Sequence, residues 1–320
     1  MIGTVAAVIA AGILLPHVTR LERVAPLAAA AIWGCSLALR GLVALSIAMY
    51  VVFFLPATQL FHAVTQWCLH TAIPLLAADV DVSGHGIGDA AIAVPAVLLA
   101  VSVASTSLGI ATAARTARRV QGQAAARRGP NDSLIVGGSG VVVAAAGLAR
   151  PQVIVSAGAL TQLDDEELAA GLDHERGHIA HRHRYALVVA ELCRAVGRPV
   201  PGSARAVEQL SFHLERDADR WALRRHHDRL ALASAICKAA TTGATKSSAF
   251  AALAGAGIAE RLDQITGAAP PVAGRRAAAV NALAVVLVAA TLGVTGTLTA
   301  TVKAGVRSIQ QVERAHHCPN

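Results

Sequence analysis

Four stretches of the chain are almost continuously apolar: residues 2–16, 27–55, 90–114 and 277–302. A helix needs roughly 20 apolar residues to cross a bilayer, and all but the first stretch reach that length. The first ends at Pro16 and lacks the basic leader of a signal peptide, so it is read as a short spanning helix. Backbone at membrane depth must satisfy its own hydrogen bonds, which leaves helices as the simplest reading of all four. Composition agrees. The 320 residues are 54% hydrophobic and only 15% charged, against about 25% charged in ordinary soluble domains. The expected fold class is therefore an α+β membrane protein with four transmembrane helices, and a domain between the third and the fourth.

The connectors set the orientation. Arg20 and Arg23 lie between the first two stretches, whereas the connector 57–89 has no Lys or Arg and carries Asp79, Asp81 and Asp89. Arg115, Arg118, Arg119, Arg127 and Arg128 follow the third stretch. Basic loops stay inside, which places the N-terminus outside and the region after residue 115 in the cytoplasm of a multi-pass cell-membrane protein. The division expected is 1–115 for three spans, 116–276 for the cytoplasmic domain, and 277–320 for the fourth span and a short external tail. Arg40 falls inside the second stretch and is expected at the edge of the true span, since a charge in lipid is expensive.

The net charge of +8 raises nucleic-acid binding only to dismiss it. The arginines flank apolar segments, and aromatic residues are 3%, too few for base stacking. The partners expected are the lipid bilayer and a protein or peptide substrate. Cys35, Cys68, Cys193, Cys237 and Cys318 include no C-x-x-C pair, so a thiolate metal site is not expected. Cys68 and Cys318 share the outer side and are read as two free thiols in preference to a disulfide. The spans lack paired carboxylates, which disfavours a transporter.

Within 116–276, short apolar runs at Ser133–Val136, Val141–Val143 and Val153–Ser156 read as strands. A helix opens at Asp164, with Glu167 three residues on to complete a capping box. It is expected to continue to Val196 and to stop before Gly197 and Pro199. Further helices are expected at 204–226 and 230–240.

The first of these helices carries His174-Glu175-Arg176-Gly177-His178. Histidines at i and i+4 lie on one helix face and can reach one metal ion, with Glu175 beside them as a general base for water. Two His ligands and a carboxylate suit Zn2+ with an open fourth position. Glu215, in Glu215-Arg216-Asp217-Ala218-Asp219, is the third ligand expected, and Asp219, one turn on, the acceptor that orients a ligand histidine. The competing reading of that segment is a solvated charged face pairing with Arg216, Arg220 and Arg224. His181 is read as a residue behind the ligands or facing solvent; His183, His213, His226 and His227 are assigned no part in the metal site.

Glu166–Arg184 (EELAAGLDHERGHIAHRHR), the glutamate of ERDAD and the strand RPQVIVSAGAL before them resemble the integral-membrane gluzincin metallopeptidases. Three spans before the domain and one after, with a short interval between the zinc-binding helices, resemble the β-lactam-receptor (BlaR/MecR) type. Gly177 and His181 resemble the HtpX or CAAX-prenyl-protease type instead. The resemblance implies a zincin-like domain and hydrolysis of a cytoplasmic or membrane protein, a repressor in a signalling pathway if the receptor type holds. No penicillin-binding sensor follows the last span, so antibiotic sensing is not expected. A substrate strand is expected on the edge around Val153–Ser156, with Tyr185, His226 and His227 as candidates for stabilising the transition state. The alternative is a metal-binding signalling or scaffold protein without turnover, which the presence of Glu175 disfavours.

Overall fold

The computed structural model describes residues 2–19, 21–53, 84–124, 128–225, 227–241 and 257–267, besides a few isolated positions. The chain begins with α1 (Ile2–Val18) and α2 (Pro26–Phe53), joined by a short 3-10 turn at Leu21–Arg23. Pro16 lies inside α1 and does not end it, contrary to expectation. A proline has no N–H for the carbonyl four residues earlier. That carbonyl, Gly12 O, accepts a hydrogen bond from the Ser36 hydroxyl of α2 at 2.9 Å.

Arg40 corrects a second expectation. It sits well inside α2 and is fully buried. Its guanidinium donates to Ile13 O at 3.0 Å, to Ser36 Oγ at 2.6 Å and to Pro201 O at 3.2 Å, and lies 2.7 Å from His17 Nε2. The charge is tolerated because protein, not lipid, surrounds it. The first half of α2 contributes Ile32, Trp33 and Leu37 to a core shared with Val207, Leu210 and Leu214 from the far side of the expected boundary at 115.

A long helix, α3 (Gly84–Ala124), overruns its expected end at Ala114 and takes in Arg115, Arg118 and Arg119. Its 41 residues measure about 60 Å at 1.5 Å per residue. Val94, Val97, Leu98, Val101 and Leu108 are exposed along it. Ser102 is buried and donates to Ala195 O at 2.8 Å. By length and composition, Pro26–Val51 and Ala96–Ala124 could each cross a membrane; α2 is the more covered by protein, with 44% of its most apolar window buried against 6% in α3. The expected fourth span, and Cys68 and Cys318, lie outside the described residues.

Three strands follow: β1 (Leu134–Val136), β2 (Val143–Ala146) and β3 (Gln152–Ser156). They pair in the order β1-β3-β2, β1 parallel and β2 antiparallel to β3. Alternation puts Val153 and Val155 on one face of β3, where they meet Val141, Leu163, Leu168 and Leu172. The helices are α4 (Ala157–Gln162), α5 (Asp165–Ala180), α6 (His183–Val196), α7 (Ser203–Leu223), α8 (Arg229–Thr241) and α9 (Ile258–Thr266). The last was not expected from the sequence.

Candidate metal centre

Helix α5 starts where its capping box lies. Asp164 accepts from the Glu167 N–H at 2.8 Å, and Glu167 accepts from the Asp164 N–H at 2.9 Å. Glu167 is then gripped from α8 by Ser234 and Lys238. The register of α5 is thereby fixed, and His174 and His178 both turn toward α7. Gly177 lets the two helices approach: a Cβ there would stand 2.9 Å from Trp221 Cβ and 3.2 Å from Ala218 Cα.

The structure brings His174, His178 and Glu215 together. His174 Nε2 and His178 Nε2 are 3.2 Å apart, and each is 3.4 Å from an oxygen of Glu215. Ligand atoms bound about 2.1 Å from one zinc-sized ion at tetrahedral angles stand roughly 3.4 Å from one another. The three side chains therefore fit a single metal ion without rearrangement.

Behind the ligands, Asp219 Oδ1 lies 2.9 Å from His174 Nδ1. Arg261, brought in by α9, is 3.0 Å from Glu215 Oε2 and 2.8 Å from Asp219 Oδ1. Burial works against the Glu215 charge, yet His178 and Arg261 hold its pKa well below the usual value. Burial also opposes charge on His174, but Asp219 and Glu215 outweigh it and push its pKa up to about 10. Two carboxylates are thus balanced by Arg261 and a proton on His174, which a metal ion must displace. Glu175, on the same helix, accepts from the Ala145 N–H of β2 at 2.7 Å. His174, Glu175 and Glu215 line a pocket whose other walls include Val141, Leu163, Leu232 and Ile236.

Residues 111–197 match the model of Peptidase family M48. The match and the convergent ligands support a metallopeptidase of that family. The M48 match covers the end of α3, the sheet and both histidine-bearing helices, and stops ahead of Glu215. No curated protein and no solved structure matches the chain.

Several expectations around the M48 stretch change. The helix expected from Asp164 to Val196 is two helices, broken at His181–Arg182, where Arg182 adopts a left-handed conformation with φ of 55°. The break turns His183 back toward the centre. Its Nδ1 lies 3.0 Å from His178 Nδ1, and its Nε2 lies 3.3 Å from Asp217 Oδ2. His181 Nδ1 bonds the same Asp217 oxygen. His183 is thus part of the metal-site surroundings, which the sequence reading did not foresee. The ERDAD segment is not a solvated face: Glu215, Arg216, Asp217 and Asp219 are all buried. Arg216 bonds the carbonyl oxygen of Glu22 between α1 and α2.

The strand expected to receive substrate, β3, is the central strand and has no free edge. Among the described residues, the available edge beside Glu175 is β2. Among the candidates for transition-state stabilisation, Tyr185 is exposed beneath the Arg184 guanidinium, His227 is bonded to Asp173 at 2.8 Å, and His226 lies outside the described residues. Arg261 was missed because no motif marks it and its helix is short.

Proposed function

We propose that the chain is an integral-membrane zinc endopeptidase that cleaves a cytoplasmic or membrane protein, with His174, His178 and Glu215 as metal ligands and Glu175 as general base. The observation that carries this reading is the tetrahedral spacing of the three ligand atoms, with Glu175 on the same helix and lining the same pocket. Two imidazoles and one carboxylate with a position left for water suit zinc in particular. The β-lactam-receptor resemblance favours a repressor as substrate.

Zinc bound there supplies a Lewis acid that polarises the scissile carbonyl and acidifies the attacking water. Glu175 takes that water's proton on a carboxylate oxygen and passes it to the departing amine nitrogen. The Ala145 N–H aims the carboxylate and ties it to β2. Val142 exchanges hydrogen bonds with Ser156 on the β3 side, through its carbonyl and N–H. By alternation, Val143 and Ala145 turn their backbone groups outward, and with the Ala145 N–H given to Glu175 it is the Val143 groups and the Ala145 carbonyl with which a substrate strand can pair. Asp219 orients His174, and Arg261 keeps Glu215 ionised. The apolar walls of the pocket keep bulk water from the reacting bond and favour an apolar substrate side chain.

The test compares protein N-termini in cells expressing the native chain or Glu175→Gln, which keeps the ligands and removes the base. New termini with the native chain alone are expected, and they name the substrates. Identical profiles, with the purified native protein still holding zinc, would favour the signalling or scaffold reading instead.

A further inference from the structure

A second group of metal-binding side chains, His181, His183 and Asp217, lies directly against the first. His183 is only 2% exposed. Its Nε2 is buried without an aligned hydrogen bond among the described residues, and Asp217 Oδ2 is 3.3 Å away. Such an atom invites either a second ion or a proton, and proton bookkeeping decides between them.

A neutral imidazole has one N–H and one lone pair. A metal on His178 Nε2 takes the lone pair there, so the proton must sit on Nδ1. That Nδ1 faces His183 Nδ1 at 3.0 Å, and His183 can accept the bond only with a bare Nδ1. Its own proton then rests on Nε2, facing Asp217. A second ion on His183 Nε2 would move that proton to Nδ1 and set two N–H groups against each other 3.0 Å apart. The geometry that favours a metal at the first group thus opposes one at the second.

Resting on the metal-centre reading above, we propose that His183, backed by Asp217 and His181, is a positioning residue that fixes the tautomer and ring orientation of His178. The two ligand histidines are then held differently. His174 leans on a carboxylate directly, whereas His178 reaches its carboxylate through an intervening imidazole. Loss of a partner behind a metal-bound histidine lowers metal affinity about 10–100-fold in known sites.

The test uses the full-length protein in detergent, and it measures zinc stoichiometry and affinity by competition with a chromophoric chelator. The native chain should bind one equivalent. His183→Leu should weaken binding about 10–100-fold, while His183→Asn, whose Oδ1 stands where Nδ1 was and can still accept from His178 Nδ1, should recover most of the loss. Thermal melting of the zinc-stripped proteins controls for folding. Should His183→Leu fail to fold, Asp217→Asn against Asp217→Ala gives the same contrast one residue further back. Two tightly bound equivalents, equal affinity in the Leu and native proteins, or no rescue by Asn with the fold intact would each overturn the relay. A native chain that binds no zinc would overturn the metal centre itself.

Discussion

Two buried histidines, His174 and His213, meet opposite fates because of their neighbours. His174 faces two carboxylates and is held protonated; His213 is buried beside Arg216, which donates to its Nδ1 at 2.9 Å, and its pKa is pushed down to about 3. Below pH 6.5 the unfolded chain takes up a proton at residue 213 that the folded chain refuses. Stability therefore falls as pH drops below 6.5, by about 1.4 kcal/mol per unit for one full proton. His174, raised to about 10, stays protonated in the folded zinc-stripped protein, so it offsets the His213 slope near pH 6.5 and adds none below about pH 5.5, where the unfolded imidazole is protonated too. Melting of zinc-stripped protein between about pH 5.5 and 4.5 should show this decline, and His213→Gln should remove one proton's share of it. An unchanged slope in the variant would mean that His213 titrates normally in the fold.

At the level of elements, the approach of α5 to α7 decides whether the three proposed ligands can share an ion. Gly177→Ala places a Cβ 2.9 Å from Trp221 Cβ and 3.0 Å from its Cγ. Overpacking of this kind costs about 1–3 kcal/mol, and prising the helices apart should also weaken zinc binding. Melting and chelator competition on the purified variant check both effects; a protein unchanged in both would show that α7 moves freely. The start of α5 was legible because Asp164 and Glu167 form a local signal, and β1 and β3 because short apolar runs sit between turn residues; β2 runs over Val143–Ala146, so the run expected at Val141–Val143 overlaps it only at Val143. The break at His181–Arg182 was not, since Arg182 takes a left-handed conformation with neither glycine nor proline to announce it. Nor was the β1-β3-β2 order, which depends on pairing between distant segments. The convergence of His174, His178 and Glu215 was legible from the i, i+4 spacing of the histidines and the acidic segment on the next helix, whereas Arg261 and His183 reach the centre only through tertiary packing. The burial of α2 was hidden for another reason: lipid tails and leucine side chains are equally apolar, so the sequence reads alike for either neighbour.

For the whole molecule, the core that α1 and α2 share with α6 and α7 is the feature with the widest reach. A fragment of residues 116–276 keeps every proposed ligand but uncovers Val207, Leu210 and Leu214. Each loses roughly 1.5–3 kcal/mol of burial, together comparable to the 5–15 kcal/mol that holds a typical domain folded. Arg216 also loses its bond to the Glu22 carbonyl oxygen. Expressed alone, the fragment should show no cooperative melting transition and no tight zinc binding, and a folded, zinc-holding fragment would refute the shared-core account. The peptidase part is consequently not a cassette. Gene rearrangement could graft a new sensor or tail onto this chain, but it could not transplant the catalytic half onto a different pair of helices without also carrying over Ile32, Trp33 and Leu37, so these segments must be inherited together.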